Sequence, residues 1–499
     1  MSEPLLLALD QGTTSTRAIL FDARGVAVAE AGRPLAQSYP HDGWVEHDAA
    51  AIHAASIEVM REAVERSGRR PEEIAALGIT NQRETTVVWD RATGVPIHPA
   101  IVWQDRRTSE VCEGLRRAGH ETEVTERTGL LLDPYFSATK IAWILDHVEG
   151  ARARAEAGDL LAGTIDCWLA WKLTGGRVHA TDATNASRTL LMELETQAWS
   201  DDLCRILSVP RRLLPEIRDN AGDYGEMDAA VLGRAIPIRG MVGDQQSAMM
   251  GQGTSRPGGL KATYGTGCFM LLNTGERRPR STSRLLSTVA ARVDGRATYA
   301  LEGSIFMAGA SIQWLGEELG IAGGPKAAEA LAQKARRDHG VVAVPAFTGL
   351  GAPHWDAEAR GAILGLTRDS GLPEIAAAMF DACALQSRDL IEAMRHDSPE
   401  VFAADPHFRI DGGMARSPWF AQRLADLTGI AVDRADYAEA TALGAAMFAG
   451  LGAGVFASMA QAQEARPDAE TVSPVLGAAE RDLAYAHWSQ AVRQVRLHT

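Results

Sequence analysis

Two carboxylates and two small-residue turns carry most of the chemistry open to this chain. Asp10 closes an apolar run, Leu5 to Leu9, and is followed by Gln11, Gly12, Thr13, Thr14 and Ser15. Gly12 allows a tight turn and a close backbone approach, and the amides and hydroxyls of Thr13, Thr14 and Ser15 can donate to phosphate oxygens. A single carboxylate at a buried strand end suits a hydrated Mg2+. An ordinary hairpin with a polar turn is the plain alternative, and the stretch alone does not separate the two. Asp244 ends another apolar run, in Met241-Val242-Gly243-Asp244-Gln245-Gln246. A carboxylate within reach of an acceptor hydroxyl and in line with a γ-phosphoryl group is the general base that phosphoryl transfer needs. Asp244 is the candidate for that role, and a helix N-cap is the competing use of such a residue. Leu260 to Asn273 (LKATYGTGCFMLLN) repeats the opening layout around Gly265-Thr266-Gly267.

Between these lies an acceptor-like cluster. Asn81-Gln82-Arg83-Glu84-Thr85-Thr86 interrupts two buried runs, Ile74 to Thr80 and Val87 to Trp89. So many polar groups between strands are costly unless they are used, the alternative being a solvated hairpin tip. Arg83 and Glu84, adjacent at a strand end, can both reach one small ligand. Trp103, after Ile101-Val102, is either core or a flat wall for the carbon face of a polyol. Tyr135, in a turn leading to a helix with Lys140 and Trp143, offers a phenolic hydroxyl or simple packing, and Thr181 to Thr189 reads as a polar, turn-like stretch.

The elements that must hold these residues alternate between strand and helix patterns. Apolar positions recur at helical spacing from Ala49 to Arg66. Three later segments read as nucleotide wall. Glu302-Gly303 onward brings small residues into a helix with Gln313 as a polar reader. Pro345 to Arg360 is a Gly/Pro-rich loop, and Asp411-Gly412-Gly413 ends the strand Phe408 to Ile410. Ala442 to Ala460 is long and uncharged, but its four glycines point to a closely packed helix and loop rather than a membrane span. Two phosphate-turn hairpins half a chain apart predict two related halves across a cleft. A chain of 499 residues also exceeds what one core usually supports. The expected fold is α/β, with residues 1–250 forming one domain and 251–499 the other, each a mixed sheet flanked by helices.

Composition removes several function classes. With 64 acidic against 50 basic residues and a formal charge of -14, neither nucleic acid nor a polybasic membrane contact is expected. The five cysteines are dispersed without a C-x-x-C pair, so no zinc site or disulfide framework is indicated. The short apolar opening lacks a basic leader, which makes the cytoplasm the expected location. No Walker A loop, H-R-D catalytic loop or G-x-G-x-x-G occurs, which sets aside P-loop, protein-kinase and dinucleotide Rossmann sites.

The motifs ALDQGTTSTRA, GWVEHD, GITNQRETTVVW, AIVWQDRRT, DPYFSATK, TYGTGCFML, FMAGASIQWL and PAFTGLGAPHWD together resemble the FGGY sugar and polyol kinases. These belong to the actin and heat-shock-chaperone ATPase superfamily. YFSATKIAWILDH (135–147) and GAILGLTRDSGLPEIAAAMFD (361–381) look like the two general family signatures. The resemblance spans essentially the whole chain. It implies two actin-like (ribonuclease-H-like) domains with the active site in the cleft between them, and ATP-dependent phosphorylation of glycerol to sn-glycerol 3-phosphate. Glycerol would be held by Arg83, Glu84, Tyr135 and Asp244, with Gln245 nearby and Trp103 and Phe269 along its carbon edge. Asp244 would take the hydroxyl proton, and Asp10 with Asp244 would hold Mg2+, chiefly through water. Thr13, Thr14, Ser15 and Arg17 would cradle the β and γ phosphates. Thr266, Gly309, Gln313, Gly413 and Ser417 would line the rest of the nucleotide site. Relatives of this kind are commonly homodimers or homotetramers.

Three departures stand out. After Gly413 the chain reads Met-Ala-Arg-Ser-Pro-Trp where members acting on glycerol commonly place Asn-Asn, so the Ser417 contact is the weakest part of the nucleotide set. His354 replaces a usual tyrosine, and Gly233-Arg234-Ala235-Ile236 lacks the arginine register associated with sugar-bisphosphate control. Two rivals follow. One is a kinase for another small polyol or ketose, and the other an actin-like ATPase without a sugar acceptor, which should lack the cluster around Arg83.

Overall fold

The opening hairpin forms because its apolar runs are buried on both faces. In the computed structural model, which describes residues 3–402, 408–435, 439–464, 466 and 469–496, it consists of β1 (Leu5–Gln11) and β2 (Ser15–Phe21), paired antiparallel. With β3 (Ala27–Pro34), β4 (Ile74–Asn81), β5 (Glu226–Met227) and β6 (Ile236–Gly243) it makes a six-stranded mixed sheet in the order β5-β6-β4-β1-β2-β3. The second hairpin, β7 (Leu260–Tyr264) and β8 (Cys268–Gly275), starts another sheet. That sheet adds β9 (Leu286–Val293), β10 (Arg296–Ile305), β11 (Phe408–Asp411), β12 (Val432–Ala435) and β13 (Ala469–Val472), in the order β9-β10-β8-β7-β11-β12-β13.

The two sheets share one plan. In each, a hairpin pairs antiparallel with a third strand, two parallel strands follow on the other side, and an antiparallel strand closes that edge. The second sheet carries β9 as an extra edge strand. The related halves expected from the repeated hairpins are thus present strand for strand.

Six helices matter for the site: α1 (Ala49–Ser67), α2 (Ser137–His147), α3 (Asp244–Gly251), α4 (Gly309–Glu317), α5 (Leu372–Asp397) and α6 (Ala440–Gly452). The carboxylate of Asp48 starts α1 by accepting from the amides of Ala50 and Ala51, and Gly68, at φ 63°, ends it. Side chains alternate across a strand, so Leu5, Leu7 and Leu9 share a core with Ile52, Val59 and Met60 of α1. Leu6 and Ala8 face the other way, into a cluster with Leu443, Ala446 and Phe448 of α6. A helix from the second half of the sequence therefore covers the first sheet. Glycines permit this contact: a Cβ on Gly78 of β4 would lie 2.2 Å from the Ala445 carbonyl oxygen, and one on Gly444 1.9 Å from that of Ser247 in α3. The small-residue stretch expected to pack closely does so against both α3 and the first sheet.

One alternative falls and one expectation changes. Asn81 to Thr86 is not the solvated hairpin tip that stood as the alternative reading. Its six residues are buried, and they lead from β4 to Thr86–Asp90, a strand of a separate four-stranded sheet. Thr181 to Thr189 is not a surface turn either. It includes a short strand, Ala180–Asp182, and a helical turn, Ala183–Ala186, all buried. Sequence polarity misled there because the polar groups satisfy one another: Asn81 and Asn185 exchange hydrogen bonds of 3.1 and 3.0 Å, and Asp182 accepts from the amides of Thr184 and Asn185 and the carboxamide of Asn220.

Candidate active site

Asp10 sits at the end of β1 and Asp244 directly after β6, so the parallel strands β1, β4 and β6 bring both carboxylates and the Arg83 turn to one edge. Arg83 and Glu84 are 2% exposed or less, and Glu84 has a left-handed φ of 60°. The Arg83 guanidinium grips Glu302 of β10 through two bonds, 2.6 and 3.1 Å, while its Nε faces Asp244 Oδ1 at 3.2 Å. Arg188 completes the arrangement: its Nε donates to Glu84 Oε1 at 2.7 Å and its Nη2 to Glu302 Oε1 at 2.8 Å. Two cations and two carboxylates thus balance in a dry place, the condition under which buried charges are tolerated.

Aromatic rings close this cluster. Trp103 meets the edge of Tyr135 at 5.6 Å between centroids and Phe269 of β8 at 5.9 Å. Tyr135 is fixed from behind, since the buried Lys140 of α2 donates to the carbonyls of Tyr135 (2.5 Å) and Pro134 (3.2 Å). Burial pushes the Tyr135 phenol far up, so the hydroxyl stays a neutral donor and acceptor. The indole N–H of Trp103 donates to Thr13 Oγ1 at 2.9 Å. Gln82 adds a second tie, donating to Gln11 Oε1 and to the Gly12 carbonyl. The first phosphate-like turn and the acceptor cluster are therefore one hydrogen-bonded unit.

The carboxylates sit in an electrostatically poised edge. Burial, then the nearby charges of Glu439 and Asp244, raise Asp10 from its ordinary value to about 7, against the pull of Arg17. Burial also raises Asp244, with Arg83 and Lys261 acting in the other direction. Arg17 is exposed and pairs with Glu439, beside the start of α6, at 2.6 Å. Among the described residues, no three His, Cys, Asp or Glu side chains gather as a cage for a metal ion. Asp10 and Asp244 suit a cation that keeps most of its water and shares phosphate oxygens, which is the habit of Mg2+.

The second hairpin turn has a different character. Gly265, Thr266 and Gly413 are exposed, and Gly309 and Gln313 lie on α4. The Thr266 carbonyl accepts from the amides of Ala308 and Ala310 at 3.0 Å, and that of Gly265 from Gly309. A Cβ on Gly309 would stand 2.5 Å from the Gly265 oxygen, so glycine is what lets α4 begin under the turn. Ser417 is already engaged in the fold, since its Oγ caps the helix Pro418–Thr428 by accepting from the Phe420 amide at 2.9 Å. Gln245 is similarly occupied, accepting from the ammonium of Lys261 at 2.5 Å.

Arg188, Glu302 and Lys261 escaped assignment to the acceptor cluster from sequence. Glu302, read as the start of the nucleotide wall, faces Arg83 instead. Its signal was a lone carboxylate inside an apolar strand, Tyr-Ala-Leu-Glu-Gly, and Lys261 is the same case in Gly-Leu-Lys-Ala. Arg188 was hidden in the polar stretch taken for a turn.

A duplicated two-sheet architecture, with a carboxylate-bearing edge in one half and a bare turn in the other, defines a two-domain phosphotransferase for small hydroxylated acceptors. The pattern of the N-terminal domain of the FGGY family of carbohydrate kinases matches residues 5–251, and that of its C-terminal domain residues 260–453. The chain is 52% identical over 491 residues to a glycerol kinase of Ectopseudomonas mendocina, covering 98% of this chain and 99% of that one. It is 53% identical over 492 residues to one of Rhodospirillum rubrum, covering 99% of each. Among solved structures, the glycerol kinase of Plasmodium falciparum with ADP superposes with a TM-score of 0.91 at 33% identity, over 99% of this chain and 98% of that one. A xylulose kinase from Lactobacillus acidophilus shares the fold, with a TM-score of 0.87 at 20% identity and coverage of 99% and 98%. The chain belongs to the FGGY family of carbohydrate kinases.

Proposed function

We propose that this enzyme transfers the γ-phosphoryl group of ATP to a terminal hydroxyl of glycerol, giving sn-glycerol 3-phosphate and ADP. The observation that carries the reading is the convergence of Arg83, Glu84, Tyr135 and Asp244 beneath the rings of Trp103 and Phe269. Full-length identity to glycerol kinases supports it. Glycerol offers three hydroxyls and little carbon, so hydrogen bonds must supply its recognition. Arg83 and Tyr135 donate to hydroxyl oxygens, Glu84 accepts, and the two rings face the carbon edge and exclude a bulkier sugar. Gln245, tied to Lys261, lies beside Asp244.

Asp244 accepts the proton as the terminal oxygen attacks the γ-phosphorus. The new O–P bond forms as the bond to the β-γ bridging oxygen breaks, and ADP leaves with that electron pair. Thr13, Thr14, Ser15 and Arg17 are assigned to the β and γ phosphates. Thr266, Gly309, Gln313 and Gly413 are assigned to the rest of the nucleotide, and Ser417, whose cap uses one lone pair, keeps its O–H and a second lone pair for a contact there. Mg2+, held by Asp10 with Asp244, neutralises phosphate charge when bound. The division near residue 250, a cytoplasmic location and a homodimeric or homotetrameric assembly belong to the same proposal. Among the described residues no helix is long and apolar enough to cross a membrane.

The test is ATP-dependent ADP release with glycerol, dihydroxyacetone, erythritol, xylulose or no acceptor, in wild type and Asp244→Asn. Glycerol should be preferred, and the substitution should lower kcat by roughly 10²–10⁴-fold, the range for a lost general base. Preference for another acceptor overturns the substrate assignment. Equal release without acceptor points to an ATPase.

A further inference from the structure

We propose that Glu302, acting with Arg188, is a positioning residue for the acceptor, and that it makes glycerol affinity depend on contact between the two halves. Glu302 comes from β10 of the second sheet, whereas Arg83, Glu84 and Arg188 belong to the first half of the chain. Its two oxygens serve three donors: Oε2 takes Arg83 Nη1, and Oε1 takes both Arg83 Nη2 and Arg188 Nη2. This grip fixes the plane of the Arg83 guanidinium and leaves its Nε directed at Asp244. Arg188, tied to the same carboxylate, holds one oxygen of Glu84 through its Nε, and the other oxygen of Glu84 is left for a ligand.

Arg188 itself lies over Tyr135 and Phe136, 5.6 and 5.3 Å from their ring centroids, and its Nη1 is buried without a hydrogen-bond partner. The guanidinium thus meets Glu84 and Tyr135 directly and Arg83 through Glu302, and Arg83 in turn reaches Asp244. Simple fold stabilisation does not require this wiring, because a buried ion pair is commonly matched or bettered by apolar packing. What such a network supplies is fixed geometry, and placement of reacting groups to a fraction of an ångström governs how well a small ligand is held for reaction. Since the hub comes from the opposite sheet, movement of the halves apart would release both Arg83 and Arg188 at once, and Glu84 would lose the fixed placement of the arginine that holds it.

The inference rests on the glycerol-phosphorylating reading, and the experiment separates the two, because wild type tests that reading and only the variants test Glu302. Steady-state kinetics are measured on Glu302→Gln, Glu302→Asp and the double variant Glu302→Gln/Arg188→Met, which removes one cation with the anion and restores charge balance should the single change fail to fold. The expected result is a glycerol KM raised about tenfold or more by loss of charge-assisted hydrogen bonds, with the ATP KM within about twofold and kcat changed less than the glycerol KM. Glu302→Asp should recover part of the effect. A folded single or double variant with a wild-type glycerol KM overturns the proposal. So does a parallel rise in the glycerol and ATP KM values, which would mark a general loss of structure.

Discussion

The two hairpins share a topology and differ in what they present. The edge formed by β1, β4 and β6 is built from titratable and charged side chains: Arg83, Glu84 and Asp244 in ion pairs, backed by Arg188, with Asp10 close by and raised to about 7 by burial. The matching edge of the second sheet presents backbone: Gly265, Thr266 and Gly267, then Gly412 and Gly413 after β11. The strands fix where an edge lies, and the residue types there decide whether it performs proton and charge chemistry or lets a flat ligand approach. The second half also lends charge to the first, through Glu302 and Lys261. On the proposed assignment of acceptor to the first edge and nucleotide to the second, the acceptor side should fail through electrostatics when altered, and the nucleotide side through sterics.

The largest expected effect comes from breaking the charge balance of the first edge. Glu84→Ala leaves the Arg188 Nε without its 2.7 Å partner and the buried group with excess positive charge. Removing one member of such a pair costs about 3–5 kcal/mol, so thermal denaturation should show a clear drop in Tm together with loss of glycerol turnover. An unchanged Tm would mean that water enters the cluster and that its charges are screened.

On the second edge, two adjacent glycines should behave oppositely. Gly412 has φ +93°, and a Cβ there would stand 2.4 Å from the Tyr264 carbonyl oxygen, whereas nothing lies within 4 Å of a Cβ on Gly413. Gly412→Ala should destabilise by roughly 1–3 kcal/mol, as overpacking usually does. Gly413→Ala should fold normally and raise the ATP KM by about tenfold, equivalent to ~1.4 kcal/mol, with the glycerol KM unchanged. If the ATP KM does not move, the open space beside Gly413 is not where the nucleotide lies.

A third contrast concerns protons. Burial, then the charge of Asp182, raises Asp166 from 3.8 to about 7, although Thr164 and Thr181 donate to it. The native protein then keeps a proton that the unfolded chain has already released, so this group costs stability as pH rises from about 4 towards 7 and no more beyond it. The slope is at most about 1.4 kcal/mol per pH unit, the one-proton limit. Urea unfolding of wild type and Asp166→Asn at intervals from pH 5 to 8 checks it, and the variant should show the shallower dependence.

Much of this comparison is legible in the sequence. The repeated hairpins, Asp10, Asp244 and the Arg83-Glu84 pair follow from local patterns, since a strand end with polar residues is visible over five or six positions. The partners of those groups are not local. Glu302 lies 219 residues from the Arg83 it grips, and Arg188 is 104 residues from Glu84. A lone charge in a strand announces burial with a partner without saying which partner. The covering of the first sheet by α6 was hidden for the same reason: Gly444 announces close packing, but that it meets Ser247 is a matter of tertiary arrangement.

The smallest effect tests the place where the two kinds of edge touch. Trp103 stacks edge-on against Phe269 from the second half, and its indole N–H binds Thr13 in the first phosphate turn. Trp103→Phe keeps a smaller aromatic ring in the wall and removes that hydrogen bond, worth about 0.5–1.5 kcal/mol. If the wall and the turn acted separately, the loss would appear in glycerol binding, where the ring sits. Because the severed bond holds Thr13, the rise should appear instead in the ATP KM, by roughly two- to tenfold on the same scale, with the glycerol KM nearly constant. Trp103→Ala is the control: removing the wall itself should raise the glycerol KM and narrow the preference for glycerol over erythritol. A Trp103→Phe enzyme whose glycerol KM rises alone would show that the indole bond shapes the pocket rather than the phosphate turn, and the charge coupling of the two edges would then rest on Glu302 and Lys261.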